Sequence, residues 1–174
     1  MIQQIKDISI DILDDIIKIR RHIHQYPELS FNEYKTSEYI KSILDDWKIC
    51  FTDNIADTGI VVLLKGKNPD SKIVALRADF DALPIEELNS VDYRSKNSGV
   101  MHACGHDVHT ASLLGAAKIL NILKDHWEGT IKLIFQPAEE KFPGGALSMI
   151  QAGVLEDPKV EKIIAQHVSP ELNQ

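Results

Sequence analysis

The stretch MHACGHDVHTASLL, Met101–Leu114, joins side chains that bind metals to the start of an apolar helix. It holds three of the seven histidines and one of the two cysteines of the chain. Thiolate, imidazole and carboxylate groups are the ligands that divalent transition metals take in proteins. Apolar residues then continue on nearly every side, which predicts a helix over 107–124 that is buried against a sheet.

The rest of the chain alternates helical and extended patterns. Apolar residues at helical spacing predict three more helices, from Ile8 to about Tyr26, from Glu33 to Trp47 and from Ala146 to Ala152. Asn32 is expected to cap the second of them. Apolar runs between turn residues predict strands at 59–66, 72–78, 130–135 and 162–166.

This alternation predicts an α/β domain in which helices sandwich a central mixed sheet. The short turn Asn68–Ser71 separates the first two strands, so we expect them to form a hairpin, with an antiparallel component in the sheet. The 107–124 helix should be the most buried helix, because its polar face is the narrowest.

Composition excludes several functional classes. The net charge of −7 and the lack of a basic patch argue against nucleic acid as a partner. The chain has no apolar run near the roughly 20 residues of a membrane span. The acidic start MIQQIKDISIDILDD is unlike a signal peptide, and two cysteines, Cys50 and Cys104, form no disulfide framework. We therefore expect a cytoplasmic protein that does not contact membranes.

Polar side chains cluster where predicted strands end or helices begin. In α/β sheets, sites form in the crevice beyond the strand ends, so these groups are expected to converge on one metal locus. An adjacent glutamate pair can divide the work, with one member binding metal and the other taking a proton from the attacking water. The clustered residues are Asp79 and Asp81, Cys104 and His106, Glu139 and Glu140, and His167.

Each group also has a structural interpretation when it is taken alone. A single cysteine such as Cys104 is more often a small buried residue than a ligand. A pair such as Glu139 and Glu140 is usually exposed, and Asp79 and Asp81 could be turn or cap residues. Their joint occurrence at successive strand ends favours the metal site.

Four other histidines receive structural interpretations. We expect His102 and His109 to bond the backbone or to cap a helix. We expect His22 and His24, near the end of the first helix, to complement its dipole.

Five stretches in order along the chain resemble the M20 family of metallopeptidases and amidohydrolases. They are similar above all to its subfamily D, the N-acyl-amino-acid amidohydrolases, which includes hippurate hydrolases. The stretches are RRHIHQYPELSFNE, RADFDALPIEE, GVMHACGHDVHTASLLGAAKIL, GTIKLIFQPAEE and PGGALSMIQAGVL.

The resemblance implies a hydrolase with two divalent ions, such as Zn, Mn, Co or Ni, that cleaves N-acyl amino acids or dipeptides. It implies that Glu139 is the general base and that Asp81 orients the site. Asp79 stands where other branches of the family have a metal-binding histidine. The implied metal ligands are Cys104, His106, Glu140 and His167.

The same resemblance implies that residues 1–174 are the N-terminal portion of a catalytic domain. Family members are about twice as long, and a lid or dimerisation domain follows the strand that ends at His167. The later part supplies a further histidine ligand, and the full-length form is expected to be a homodimer or homotetramer. The alternative is a non-catalytic remnant that keeps the fold and part of the metal affinity.

Overall fold

The computed structural model describes residues 1–169, so the last five residues of the predicted 1–174 portion lie outside it. Residues 1–169 form four helices and five strands, with a short 3-10 turn over Lys124–His126. The helices are α1 Ile2–Gln25, α2 Tyr34–Asp46, α3 His106–Ile122 and α4 Gly145–Gln151. The strands are β1 Phe51–Ile55, β2 Gly59–Lys65, β3 Ile73–Asp79, β4 Thr130–Gln136 and β5 Lys162–Ala165.

The sheet is mixed, as predicted, with the strand order β1-β2-β4-β3-β5. β1 and β2 are antiparallel, as are β2 and β4, whereas β3 runs parallel to both β4 and β5. Strand β1 was not predicted.

The predicted hairpin between β2 and β3 is wrong, because β4 lies between them. β2 pairs with β4 from Ile60–Phe135 to Lys65–Thr130, and β3 pairs with the other edge of β4. Most of β4 is buried, so this strand gains most from a central position with a neighbour on each side. The turn after β2 crosses the start of β4, where the Gly66 N–H donates to the Gly129 carbonyl.

Helices cover both faces of the sheet, which confirms the predicted sandwich. The larger core lies between the sheet and α1, α2 and α3, around residues such as Ile23, Leu44, Phe80, Leu114 and Phe135. A smaller core on the opposite face packs α4 against the sheet through Val61, Ile134 and Met149.

Helix α3 has the highest buried fraction of the helices, as predicted. Nine of its residues are buried, compared with four in α1, five in α2 and two in α4. It begins at His106 rather than Asp107, because Gly105 adopts a left-handed conformation with φ +81°. This turn aims the first residues of α3 at the carboxyl end of β3.

The residue at the N-cap position of α2 is Glu33, so the prediction that Asn32 caps this helix is wrong. Asn32 donates instead to the Ser30 carbonyl, at 3.3 Å. The wholly buried Glu33 carboxylate accepts the Ala138 N–H at 2.8 Å and the Thr58 hydroxyl at 3.2 Å. Glu33 therefore fixes the backbone immediately before Glu139.

The β5 edge is the least covered part of the sheet. All four of its residues are exposed, with Ile163 at 52% and Ile164 at 59%. Within residues 1–169, β5 pairs only with β3. Every helix in this part of the chain is too short or too polar to span a bilayer.

Candidate metal centre

The carboxyl end of β3 places two aspartates at the centre of the candidate site. Asp79 and Asp81 are each 1% exposed, and both contact histidines, so neither is the simple turn or cap residue that was the alternative. Asp81 accepts hydrogen bonds from the Ser30 hydroxyl at 2.6 Å and from the Glu140 N–H at 3.0 Å. The loop that carries the glutamates is therefore held to the end of β3.

Hydrogen bonds keep Asp81 ionised. Burial alone would raise its pKa, but the bonds from the His106 ring, the Ser30 hydroxyl and the backbone N–H groups of Glu140 and Glu139 lower the pKa of Asp81 to about 2. The site thus contains a permanent buried negative charge at neutral pH.

His106 is surrounded by carboxylates. Its Nδ1 lies 3.2 Å from Asp81 Oδ1, and its Nε2 lies 3.7 Å from Glu140 Oε1 and 3.9 Å from Glu139 Oε2. Burial alone would lower the pKa of His106, but the bond to Asp81 and the nearby carboxylates raise it. His106 Nε2 and Glu140 Oε1 are both buried without a hydrogen-bond partner among the described residues.

Cys104 and His167 complete the cluster from the other side. The Cys104 Sγ lies 3.3 Å from the His167 Nε2, although 63 residues separate them in the chain. Burial, with Glu140 nearby, raises the pKa of the Cys104 thiol to about 12. In the absence of a cation this thiol stays protonated at neutral pH.

The potential ligand atoms form three groups that share His106, and two of these groups contain the predicted ligands. Within each group, the atoms lie within 4.8 Å of one another. The structure thus brings together all four predicted ligands and the predicted base. The first group is Cys104, His106 and His167, and the second is His106, Glu139 and Glu140.

Asp79 belongs to the third group, with His106 and His109, and its Oδ2 lies 3.7 Å from His106 Nε2. Its Oδ1 lies 2.7 Å from His109 Nδ1, and its Oδ2 pairs with the Arg77 guanidinium. Burial opposes ionisation, but the bond to His109 and the charges of His106 and Arg77 hold the pKa of Asp79 below its usual value. Asp79 is therefore an ionised side chain beside the candidate metal site, and its two oxygens are already paired with His109 and Arg77.

His24 lies in the last turn of α1, where it was predicted to complement the helix dipole, but it also belongs to a buried network of charged side chains. Its side chain is 5% exposed, and its ring lies between Asp107 at 2.8 Å and Glu87 at 3.1 Å. Arg20 Nε lies 2.7 Å from the same Asp107 carboxylate. This network could not be predicted from local sequence, because Glu87 and Asp107 lie 63 and 83 residues from His24. His22, by contrast, is exposed and stacks on Tyr39.

His102 also differs from its interpretation as a residue that bonds the backbone or caps a helix. It is 4% exposed, and neither ring nitrogen has a hydrogen-bond partner among the described residues. Burial lowers its pKa to about 4, so the ring is neutral at pH 7. His102 therefore packs as a neutral ring beside the His24 network.

Comparison with known proteins places these motifs in a family. The sequence profile described as peptidase family M20/M25/M40 matches residues 75–174, which include all the predicted ligands. The chain belongs to this family. The finding confirms the resemblance inferred from the sequence motifs.

Family members of known sequence include amidohydrolases. The chain is 46% identical over 166 residues to an N-acyl-L-amino acid amidohydrolase of Geobacillus stearothermophilus, covering 95% of this chain and 44% of that protein. It is 45% identical to an N-acetyl-L-cysteine deacetylase of Bacillus subtilis, covering 90% of this chain and 37% of that protein. The chain therefore spans less than half the length of these relatives.

A solved structure gives the same fold. The Bacillus subtilis YXEP protein, described as a dinuclear metal-binding peptidase of the M20 family, matches with a TM-score of 0.86 and 42% identity. The match covers 91% of this chain and 44% of that one. The α/β sandwich and its place in the M20 family are thus supported by both sequence and structure.

Proposed function

We propose that this chain carries the first part of the active site of a metal-dependent hydrolase that cleaves N-acyl amino acids or small peptides. One observation carries the proposal: the Nε2 of His106 and the Oε1 of Glu140, 3.7 Å apart, are both buried and unpartnered among the described residues. Buried polar atoms are almost always paired, and a metal ion between these two atoms would satisfy both.

The donor set fits divalent transition metals. In the proposal Cys104, His106, Glu140 and His167 are the ligands, because they combine thiolate, imidazole and carboxylate in two groups that share His106. His106 can bind only one ion through Nε2, because its Nδ1 faces Asp81, so a second ion would use the remaining ligands, about 3.5–4 Å from the first. Zn, Mn, Co and Ni all accept these ligands.

Glu139 is the proposed general base. Its side chain is 43% exposed, whereas that of Glu140 is 20% exposed, so Glu139 is the glutamate that a substrate can approach. Bound ions would supply the Lewis acidity that makes water a nucleophile at neutral pH. Glu139 would accept a proton from the attacking water and deliver it to the leaving amine.

Asp81 is proposed to orient the site. Its carboxylate faces the Nδ1 of His106 and accepts the Glu140 N–H, so it holds two proposed ligands from behind. A carboxylate behind a metal-binding histidine fixes the orientation and the tautomer of the ring.

The names of the relatives support the substrate class. Those at 45–46% identity include the amidohydrolase and the deacetylase above, and a thermostable carboxypeptidase of Saccharolobus solfataricus. The three names share hydrolysis of an amide bond next to an amino acid. We propose the same class here, in a cytoplasmic protein.

We further propose that full activity needs residues beyond this chain. The chain covers 44% of the amidohydrolase relative, and β5, which leads to His167, is exposed on both faces. A longer protein would supply a further ligand, a lid and the contacts of a homodimer or homotetramer. The alternative is a remnant that folds and binds metal without turnover.

Paired variants test the assignment of the two glutamates. In a full-length version, Glu139→Gln should abolish release of amino acids from N-acyl amino acids and leave the metal content unchanged. Glu140→Gln should reduce the metal content itself. The reverse pattern would exchange the two roles, and turnover that survives both changes and chelation would refute a metal-dependent mechanism.

The chain of 174 residues should bind metal and show little or no hydrolysis. Appreciable turnover by this chain, lost on chelation and on Glu139→Gln, would make it an enzyme without further residues.

A further inference from the structure

We infer that His109, which the proposed mechanism does not use, is a positioning residue that holds His167 against Cys104 through the backbone of Val168. The inference rests on the proposed function, because it gives His109 a role in building one of the two ligand groups. It depends on a chain of contacts from the end of β3 to the end of β5.

The first of these contacts involves the His109 ring, which is 1% exposed. Both of its nitrogens form hydrogen bonds. The Nδ1 lies 2.7 Å from Asp79 Oδ1, and the Nε2 accepts the N–H of Val168 at 3.0 Å. A backbone N–H can only donate, so Nε2 must lack a hydrogen. Nδ1 then carries the hydrogen and donates it to the Asp79 carboxylate.

This tautomer excludes His109 as a metal ligand. Asp79, His106 and His109 have potential ligand atoms within 4.8 Å of one another, as the two proposed metal groups do. Both nitrogens of His109 are already engaged, however, and Asp79 is paired with His109 and Arg77. This third group is therefore a support for the site and not part of it.

The second link is Val168, which contacts the site through two backbone groups. Its N–H donates to His109, and its carbonyl accepts a hydrogen bond from Nδ1 of His167 at 2.7 Å. With Nδ1 as the donor, Nε2 of His167 keeps its lone pair and faces Cys104 Sγ at 3.3 Å. Val168 thus sets both the position and the tautomer of the His167 ring.

A third contact places Val168 over the turn that starts α3. A Cβ atom added at Gly105 would lie 2.3 Å from Cγ2 of Val168, so the chain approaches Gly105 as closely as a glycine allows. Val168 therefore contacts both the turn that contains Cys104 and His109 in the first part of α3.

His167 needs this support because its own strand provides little. All four residues of β5 are exposed, and His167 is exposed as well. Among the described residues, the aromatic rings that pack against His167 are those of His109 and His106, with ring centroids 4.7 and 6.4 Å away, so His109 contacts the ring directly as well as through Val168. Partners that orient a metal ligand are typically worth about 10–100-fold in metal affinity.

The test is a Co²⁺ titration of the 174-residue chain, read by the thiolate-to-Co²⁺ absorption band of Cys104. His109→Phe keeps a ring and removes both hydrogen bonds. We expect it to weaken Co²⁺ binding by about 10–100-fold. The same change in a His167→Ala background should have no further effect, because its partner is gone. An equal loss in both backgrounds, or no loss, would overturn the inference.

Two further variants separate positioning from general destabilisation. Leu114→Ala removes a buried side chain from the same helix without touching Val168, so it should lower the melting temperature and leave the Co²⁺ affinity unchanged. His109→Gln offers an amide N–H and a carbonyl, and should recover part of the affinity. If Leu114→Ala weakens Co²⁺ binding as much as His109→Phe, the role of His109 is only structural.

A measurement on the metal-free protein keeps the inference distinct from the proposed function. With ¹⁵N-labelled histidine, NMR should show His109 with hydrogen on Nδ1 and none on Nε2, whether or not His109→Phe folds. Hydrogen on Nε2 would overturn the inference. A wild-type chain that shows this tautomer and yet gives no Co²⁺ band would instead count against the proposed metal function.

Discussion

The Nδ1 of His106 lies 3.2 Å from Oδ1 of Asp81, and this contact decides which ring nitrogen faces the cleft. Nε2 is left pointing at Glu139 and Glu140, at 3.9 and 3.7 Å. The carboxylate behind the ring thus creates the open nitrogen that a metal site needs.

Asp81→Asn should weaken metal binding more than it weakens the fold. An amide keeps the shape of the side chain, but it lacks the negative charge that holds the His106 tautomer and the Glu140 N–H. We expect a loss of about 10–100-fold in Co²⁺ affinity, measured by titration. Ser30→Ala removes another partner of Asp81 and leaves the charge, so it is the matched control and should change the affinity much less. Equal losses would mean that the charge is not what matters.

The His24 network should stabilise the fold through charge. Burial opposes a charge on the ring, but hydrogen bonds to Asp107 and Glu87 raise the pKa of His24. His24→Gln removes the cation that Asp107 and Glu87 share and leaves Arg20 paired with Asp107, which should lower the free energy of unfolding by about 2 kcal/mol. The control is His22→Gln, two residues away on the exposed face, which should cost under about 0.5 kcal/mol.

The pH dependence of this loss follows from the raised pKa. The stabilisation by His24 is fully present below the unfolded pKa of about 6.5 and disappears as pH rises through the raised folded value. Urea unfolding of wild type and His24→Gln should therefore converge as pH rises above that folded value. A difference that grows with pH would contradict the proposed imidazolium.

His102 should make the free energy of unfolding depend on pH in the opposite direction to His24, because its pKa is lowered and not raised. Its folded pKa is about 4, below the unfolded value of about 6.5, so unfolding takes up a proton in this window. The neutral ring contributes stability above about pH 6.5, and this is lost as pH falls through about 4, by roughly 3 kcal/mol at most.

His102→Leu removes this titration together with two unpartnered buried nitrogens. We expect the variant to gain stability relative to wild type as pH falls from 7 to 4, in unfolding curves at fixed pH. A parallel pH dependence of wild type and His102→Leu would show that His102 is not the titrating group.

The open edge at β5 should cause self-association. Ile163 and Ile164 are exposed, and neighbouring residues of a strand point to opposite faces, so both faces of the edge are apolar. Sedimentation velocity should show oligomers that Ile164→Lys shifts towards monomer. Leu88→Lys changes a residue that is 87% exposed in a loop and is the control. A monomer at all concentrations would refute the prediction.

The buried helix and most of the strands could be predicted from local sequence patterns. The all-round apolar run after Asp107 predicts a buried helix because burial requires apolar side chains on every face. The short apolar runs before Asp79 and Glu139 predict strands, and polar residues directly after strands predict a site at their ends. Local periodicity is sufficient here because each inference concerns neighbours in the chain.

The tertiary structure alone decided the strand order and the role of each histidine. β4 enters between β2 and β3, although a short turn joins those two strands, because the central position gives it a partner on both edges. His24 and His109 look alike in the sequence, yet one contacts two carboxylates and the other a carboxylate and a backbone N–H. Their partners are 30 to 83 residues away, and the protonation of a histidine depends on the groups that the fold brings to its two nitrogens.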